Sequence, residues 1–563
     1  MKLTPRLARG ARPALAVGLA AVLCLSVACG SSNKNNSSGG GTSSAPTLAA
    51  SASAPASAPS SSAPSGGTFS VGTQSWNIAN FLPGGTGDNN IDYAIWTPLT
   101  LVDSSGQVQN AVADSITSSD QQTWTIKIKD GWTFQNGEPV TAQSFADSWN
   151  STSYAPNAVA ADWQFSIIQG WSDLNPASGK PATQTLSGVK VVDQSTLEVT
   201  LTAPNSQFPY VLSQTTWAPV PPEALTDLTA FGKLPIGNGP YQVAAPGITA
   251  NAQQITLTRY DNYAGAEKGN ADTIVVKSFD SSSTAYTAFQ GGQVDVTLLD
   301  AGTDLASAQS NYPDQFTKVT FPALVFLGFP SWDKRFENPL IREAFSMAID
   351  RDTIISSLLQ GFGQNAGGIA PDSVPGSAQD LCGNYCSYDP TQAKALLAQA
   401  GGWSGSLTLW TNQDPNQSAV LQAILNQLHT NLGIANIKLQ TPAFSDMYSA
   451  LSSKKVDGPF VLYLGATYPS LYQSVYQLFG NGSGTNTTLY SDPDFDTLMN
   501  QAAAASPDQA TAIAAQAAQK AMSTLPLTPL YYPVGGLVYA KKLGNVTAEF
   551  LGSPHLATIT VSS

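Results

Sequence analysis

The chain has 563 residues, a formal net charge of −13 and charged side chains at only 11% of its positions. An acidic chain of this kind lacks the clustered Lys and Arg that phosphates require, which excludes nucleic acid as a partner. A body this long outgrows a single hydrophobic core, so two or three lobes are expected.

The first residues carry an address. Lys2, Arg6, Arg9 and Arg12 precede an apolar run from Ala14 to Val27, of signal-peptide length and too short to span a bilayer comfortably. Ser26-Val27-Ala28-Cys29 follows and looks like a lipobox, with a small residue before the cysteine. Ser26 departs from the usual Leu, Val or Ile. Residues 1–28 are therefore read as a lipoprotein signal peptide, and Cys29 as a lipidated (diacylglycerol- and palmitate-bearing) N-terminus. The rival reading, an ordinary secretory signal, also exports the protein. Residues 29–66 are almost wholly Ser, Gly, Ala, Pro and Asn. Such a segment cannot offset its ordering entropy by burial and is expected to be a disordered tether. No later apolar run reaches spanning length, so the membrane is expected to be met through the lipid anchor alone.

Further along, Trp124, Ile126 and Ile128 alternate with Thr125, Lys127 and Lys129, the period of a half-buried strand. Asp130-Gly131 and Gln135-Asn136-Gly137 are turn signals, and Thr141 is placed to cap a helix carrying Phe145 and Trp149. Ile341, Ala344, Phe345 and Ala348 make the apolar stripe of a packed helix. Asp389-Pro390 opens another helix as N-cap and first residue, and Gly401 closes it. Ser506-Pro507-Asp508-Gln509 predicts an N-cap, a first-turn proline and a capping-box glutamine. Short strands alternating with such helices predict mixed α/β lobes. Cys382 and Cys386, close in sequence in an exported chain, are read as a disulfide in preference to a metal site, which would need more ligands.

The stretch Trp124–Asn150 closely resembles the signature of the family 5 solute-binding proteins of bacterial ABC importers, "T-F-x-L-R-x-G-x-x-F-x-D-G-x-P-x-T-A-x-D". Other segments extend the resemblance in order. They are Ile91–Leu99, Gly188–Asp193 with Leu197–Leu201, Pro235–Tyr241, Arg259–Tyr263, Gly292–Asp295, and Pro339–Ala344 through Ala348–Arg351. The resemblance implies a cluster C periplasmic-binding-protein fold. It is an α/β architecture with lobe I at 67–101, 221–320 and 525–563, a subdomain at 102–220 inserted in it, and lobe II at 321–524. It also implies a monomer at the extracytoplasmic face of the cell membrane. That monomer would take a peptide or other small solute between its lobes and deliver it to ABC permease subunits with their ATPase.

Catalytic constellations fail. The G-x-S-x-G, G-x-G-x-x-G and P-loop patterns are absent, and His429 and His555 are far apart in sequence. Asp492, Asp494 and Asp496 open like a calcium loop, but Thr497 and Ala503 stand where a Gly and a bidentate Glu are needed. No enzyme, metal or cofactor is expected. In the family's peptide binders an Asp in a "W-x-x-D-Y-x-x-P" segment pairs with the peptide's α-amino group. Leu464–Leu471 corresponds here, with Thr467 in the Asp place and Tyr468 retained. A neutral hydroxyl cannot make that charge-assisted bond, which favours a sugar, a modified peptide or another neutral solute unless a second acid substitutes. The other expected cleft residues are Ser75, Trp76, Phe326, Phe444, Tyr531 and Tyr532. Two other roles are compatible with these residues: a sensing or scaffold lipoprotein on the same fold, and an exported hydrolase.

Overall fold

In the computed structural model the described residues are 66–74, 80–85, 89–249, 253–300 and 302–562. The signal peptide, Cys29, nearly all of the tether, Ser75 and Trp76 lie outside them.

The strand predicted at Trp124 forms as Thr123–Ile128, burying Trp124, Ile126 and Ile128 and exposing Lys127. It is the second strand of a four-stranded antiparallel sheet ordered Ala113–Thr117, Thr123–Ile128, Thr196–Thr200, Val189–Asp193. The helix Ala142–Ser153 starts where Thr141 predicts. Thr141 Oγ1 accepts from the Ser144 amide, and Ser144 Oγ accepts from the Thr141 amide. Its buried face carries Phe145 and Trp149 into an aromatic core, with the Trp149 and Trp217 rings 5.3 Å apart and edge-on. Aromatic pairs of this kind add to the burial of their area.

A 12-stranded sheet forms the rest of the framework. Its first half carries Thr68–Gln74, Tyr241–Val243, Gln254–Arg259, Thr273–Phe279 and Val296–Leu299, and its second half Ala323–Gly328, Leu407–Trp410, Ile437–Gln440 and Phe460–Gly465. One strand, Leu527–Tyr539, belongs to both. Its early residues pair with Ala323–Gly328, and its later ones with Val296–Leu299 and Phe316–Thr320. The chain crosses a second time between Phe316–Thr320 and Ala323–Gly328. Two lobes thus share one continuous ladder, and the fold is a two-lobed, mixed α/β periplasmic-binding-protein architecture.

Strand alternation sorts the second lobe's apolar residues to two faces. Leu324, Phe326 and Leu462 enter one core; Val325, Leu327 and Val461 enter the other. The stripe Ile341, Ala344, Phe345 and Ala348 packs into the latter. The helix Pro390–Gln399 is capped by Asp389 and followed by Gly401 at φ +98°, as expected. One cap differs from expectation. The helix Pro507–Met522 begins after Ser506, but Ser506 Oγ donates to Gln509 Oε1 at 3.1 Å instead of accepting from the backbone. The two side chains satisfy each other, so no capping box forms. Asp492 is an N-cap, accepting from the Asp494 and Phe495 amides, and Lys520 pairs with Asp492 and Asp494. Cys382 and Cys386 are bridged, with their Cα atoms 5.5 Å apart.

Candidate functional site

Where the lobes meet, a small pocket with a cavity volume of about 40 Å³ opens to solvent. The second lobe contributes Thr467, Tyr468 and Pro469. Facing them are Tyr93, Leu101, Val102 and Ser213, and the C-terminal loop with Glu549, Phe550, Leu551 and Ser553.

The second-lobe wall is a turn that follows the strand Phe460–Gly465. Gln473 holds it: its Oε1 accepts from the Thr467 amide at 3.1 Å and the Tyr468 amide at 3.2 Å, and its Nε2 donates to Thr467 Oγ1. Thr467 is exposed. Tyr468 is buried and points away from solvent into the aromatic core of the four-stranded region, stacked on Tyr210 at 5.7 Å. Burial pushes its phenol well above the ordinary range, so it stays neutral. Nearby, Ser470 Oγ bonds Gln207 Oε1, and Ser206 binds the carbonyls of Ala502 and Ala503. These bonds join the four-stranded region to the second lobe.

The opposite wall is set by the C-terminal loop. Val546 and Leu556 on either side of it are anchored in the first-lobe core, whereas Phe550 packs against the second-lobe core. Gly552, at φ +97°, turns the loop, and a Cβ there would come within 2.4 Å of the Phe321 ring at the lobe crossing. This is a place only glycine fills easily. Glu549 lies at the base of the loop. His555 Nε2 is 3.3 Å from Glu549 Oε1 and 2.8 Å from Glu267 Oε2. Desolvation raises the Glu549 pKa; the His555 hydrogen bond lowers that of Glu267. Desolvation opposes the His555 charge, but the two carboxylates outweigh it and raise its pKa. The Tyr93 phenol, bonded to the Ser213 carbonyl at 3.3 Å, is pushed up by burial and then by Glu549 and Asp92.

Of the expected cleft residues that are described, Thr467 and Tyr468 line this pocket and Phe326, Phe444, Tyr531 and Tyr532 do not. Phe326 is packed in the second-lobe core. Tyr531 and Tyr532 point to opposite faces of the shared strand, Tyr531 into one core and Tyr532 into the other, where its hydroxyl donates to Gln379 at 2.7 Å. Phe444 is 63% exposed, its ring 4.8 Å from that of Tyr448. Glu549, Ser213 and the loop around them had no motif to announce them. Tyr93 lies inside the Ile91–Leu99 element, where nothing in the sequence distinguishes it. His429 Nδ1 meets the Ile434 carbonyl at 3.0 Å, and among the described residues no serine hydroxyl bonds His555 Nε2.

A fold of two lobes on a shared strand, with a pocket between them, suits a solute-binding protein. The model of bacterial extracellular solute-binding proteins, family 5, matches residues 107–489, and the chain belongs to that family. It is 25% identical over 475 residues to the oligopeptide-binding protein OppA of Bacillus subtilis, covering 81% of this chain and 85% of that one. To the periplasmic oligopeptide-binding protein OppA of Escherichia coli it is 25% identical over 487 residues, covering 83% and 86%. Among solved structures, the periplasmic murein tripeptide binding protein MppA in its unliganded open form superposes with a TM-score of 0.75 at 19% identity, covering 88% of this chain and 97% of that one. Haemophilus influenzae OppA in complex with RPPGFSPFR gives 0.66 at 20%, covering 88% and 99%. The protein is thus a solute-binding component of an ABC transporter system.

Proposed function

We propose that the protein captures a short peptide, or a peptide-like solute, between its lobes and presents it to an ABC permease driven by its ATPase. The observation that carries this reading is the pocket with Thr467–Pro469 on one side and Tyr93, Ser213 and Glu549 on the other. Binding sites favour such inter-lobe positions, with mainly apolar walls and a few polar groups. Relatives named as oligopeptide-, dipeptide- and glutathione-binding proteins support the ligand class.

On this reading lobe I comprises 67–101, 221–320 and 525–563, carries the insertion 102–220, and faces lobe II, 321–524. Closure is a population shift about the two chain crossings, favoured by a ligand that touches both lobes. The working molecule is a monomer tethered through a lipidated Cys29. Native mass spectrometry of freshly purified protein tests the ligand class: an adduct that fragments as a peptide is expected, and a carbohydrate or metal adduct would overturn it.

A further inference from the structure

We infer that the Cys382–Cys386 bridge is a thiol–disulfide exchange site, with Cys386 as the sulfur that meets a dithiol partner and Arg351 as the cation that holds its thiolate. The inference does not depend on solute capture.

Arg351 is a buried cation, only 5% exposed. Its guanidinium donates to the carbonyls of Pro529 at 2.8 Å, Cys386 at 3.0 Å, Ile349 at 3.2 Å and Ser346 at 3.3 Å, and to Ser346 Oγ at 3.0 Å. None of these partners is a carboxylate. Burial pushes the Arg351 pKa down to about 10, against a smaller opposing effect of Asp352, so the group stays charged at neutral pH. A buried charge without a counter-ion is costly. Its remaining partner is Cys386 Sγ, 3.6 Å from Nη2. In the bridge that sulfur is neutral; after reduction it is the atom that becomes an anion. A thiolate beside an arginine is stabilised, so the reduced pair relieves a cost that the bridged pair carries. The bonds to Pro529, Ile349 and Ser346 lie outside the cysteine loop and keep the cation in place when the bridge opens.

The two sulfurs differ in access. Cys382 is 2% exposed and packed in the second-lobe core. Cys386 is half-buried and, with Arg351, lines a cavity of about 890 Å³ that opens to solvent. Asp350, Asp352, Asp380 and Tyr388 line it too, and Glu343 approaches the neighbouring Tyr385. Asp350 accepts from Thr353 and Asp352 from Asn365. This acidic lining favours a neutral dithiol over an anionic one.

The exchange takes two steps. A thiolate of the dithiol attacks Cys386 Sγ, a mixed disulfide forms, and Cys382 leaves and takes up a proton. The second thiol, once deprotonated, attacks the partner's own sulfur in that mixed disulfide. The partner closes to a cyclic disulfide, and Cys386 leaves as a thiolate against Arg351. Two electrons pass to the bridge; of the dithiol's two protons, one ends on Cys382 and one in solvent. A leaving thiol of low pKa speeds the second step.

Dithiothreitol is the probe, with free thiols read by iodoacetamide alkylation and peptide mass mapping of the full chain. It should open the bridge without denaturant. In the reduced protein Cys386 should alkylate at pH 7 roughly tenfold faster than Cys382, with a midpoint about one pH unit below the ordinary thiol value of about 8.5. Arg351→Gln should raise that midpoint by about one pH unit. It should also make the bridge about tenfold harder to reduce, or about 30 mV for two electrons. Should Arg351→Gln fail to fold, the alkylation profiles of the two wild-type cysteines decide. A bridge that opens only in urea overturns the exchange site. So does a Cys386 midpoint at or above the ordinary value, or an unchanged midpoint in folded Arg351→Gln. Each of these results leaves solute capture standing.

Discussion

The two walls of the inter-lobe pocket do opposite things. The second-lobe wall is neutral and locally held: Gln473 ties the turn, Thr467 faces water and Tyr468 is driven into an aromatic core. The first-lobe wall is charged and held by distant elements, since Glu549, His555 and Glu267 are brought together from separate parts of the chain. The second-lobe wall lies within the residues matched by the family model, and Glu549 lies beyond them. A family motif can therefore report the second-lobe wall while saying little about the first-lobe one.

The difference can be broken most forcefully at Tyr468. Tyr468→Ala removes a buried ring stacked on Tyr210 and should destabilise by about 3 kcal/mol in urea unfolding. A loss under about 1 kcal/mol would mean that this wall is not anchored by the aromatic core.

The charged wall should show itself through pH. Burial raises the Glu549 pKa, so its ionised form opposes folding. Stability should rise as pH drops through that raised pKa toward the ordinary carboxylate value, by up to about 1.4 kcal/mol per pH unit for one linked proton. The groups around Glu549, namely His555, Glu267 and Tyr93, contribute to the profile. Glu549→Gln should flatten it, and an unchanged slope would remove Glu549 from the titration.

His555→Ala should cost about 1 kcal/mol near neutral pH, discounted because Glu267 is well exposed. The sign follows from both shifts. His555, with its pKa raised, contributes below its unfolded value and loses that contribution as pH rises through the folded one. Glu267, with its pKa lowered, contributes above its unfolded value and loses it as pH falls through the folded one. The penalty should therefore be largest between the unfolded Glu267 and unfolded His555 values and fade toward the lowered Glu267 pKa on one side and the raised His555 pKa on the other. Thermal melts across that window check it. Smallest of all, Thr467→Val should change stability by no more than about 0.5 kcal/mol, because the side chain is exposed. A larger loss would make Thr467 structural.

Much of the framework was legible in the residues. Trp124, Ile126 and Ile128 alternate because a strand sends successive side chains to opposite faces, and that period survives whatever packs against it. Thr141, Asp389 and Asp492 act within a turn of themselves, so their caps can be read without knowing the fold. The Cys382–Cys386 bridge is equally local. Ser506 shows the limit even there, because Gln509 had two partners within reach and chose the side chain.

The pocket was a different matter. An aromatic side chain looks the same in sequence whether it lines a cleft or fills a core. Phe326, Tyr531 and Tyr532 proved to be core once sheets and helices closed over both faces of their strands. Glu549 is one acid among many in an acidic chain. Its meaning depends on a histidine six residues on, a glutamate from another segment, and a lobe crossing that brings Thr467 opposite. Sequence determined the periodic and local features, because their energetics are settled within a few residues. Only the tertiary structure decided which carboxylate is withheld from water, because desolvation is set by everything packed around a group.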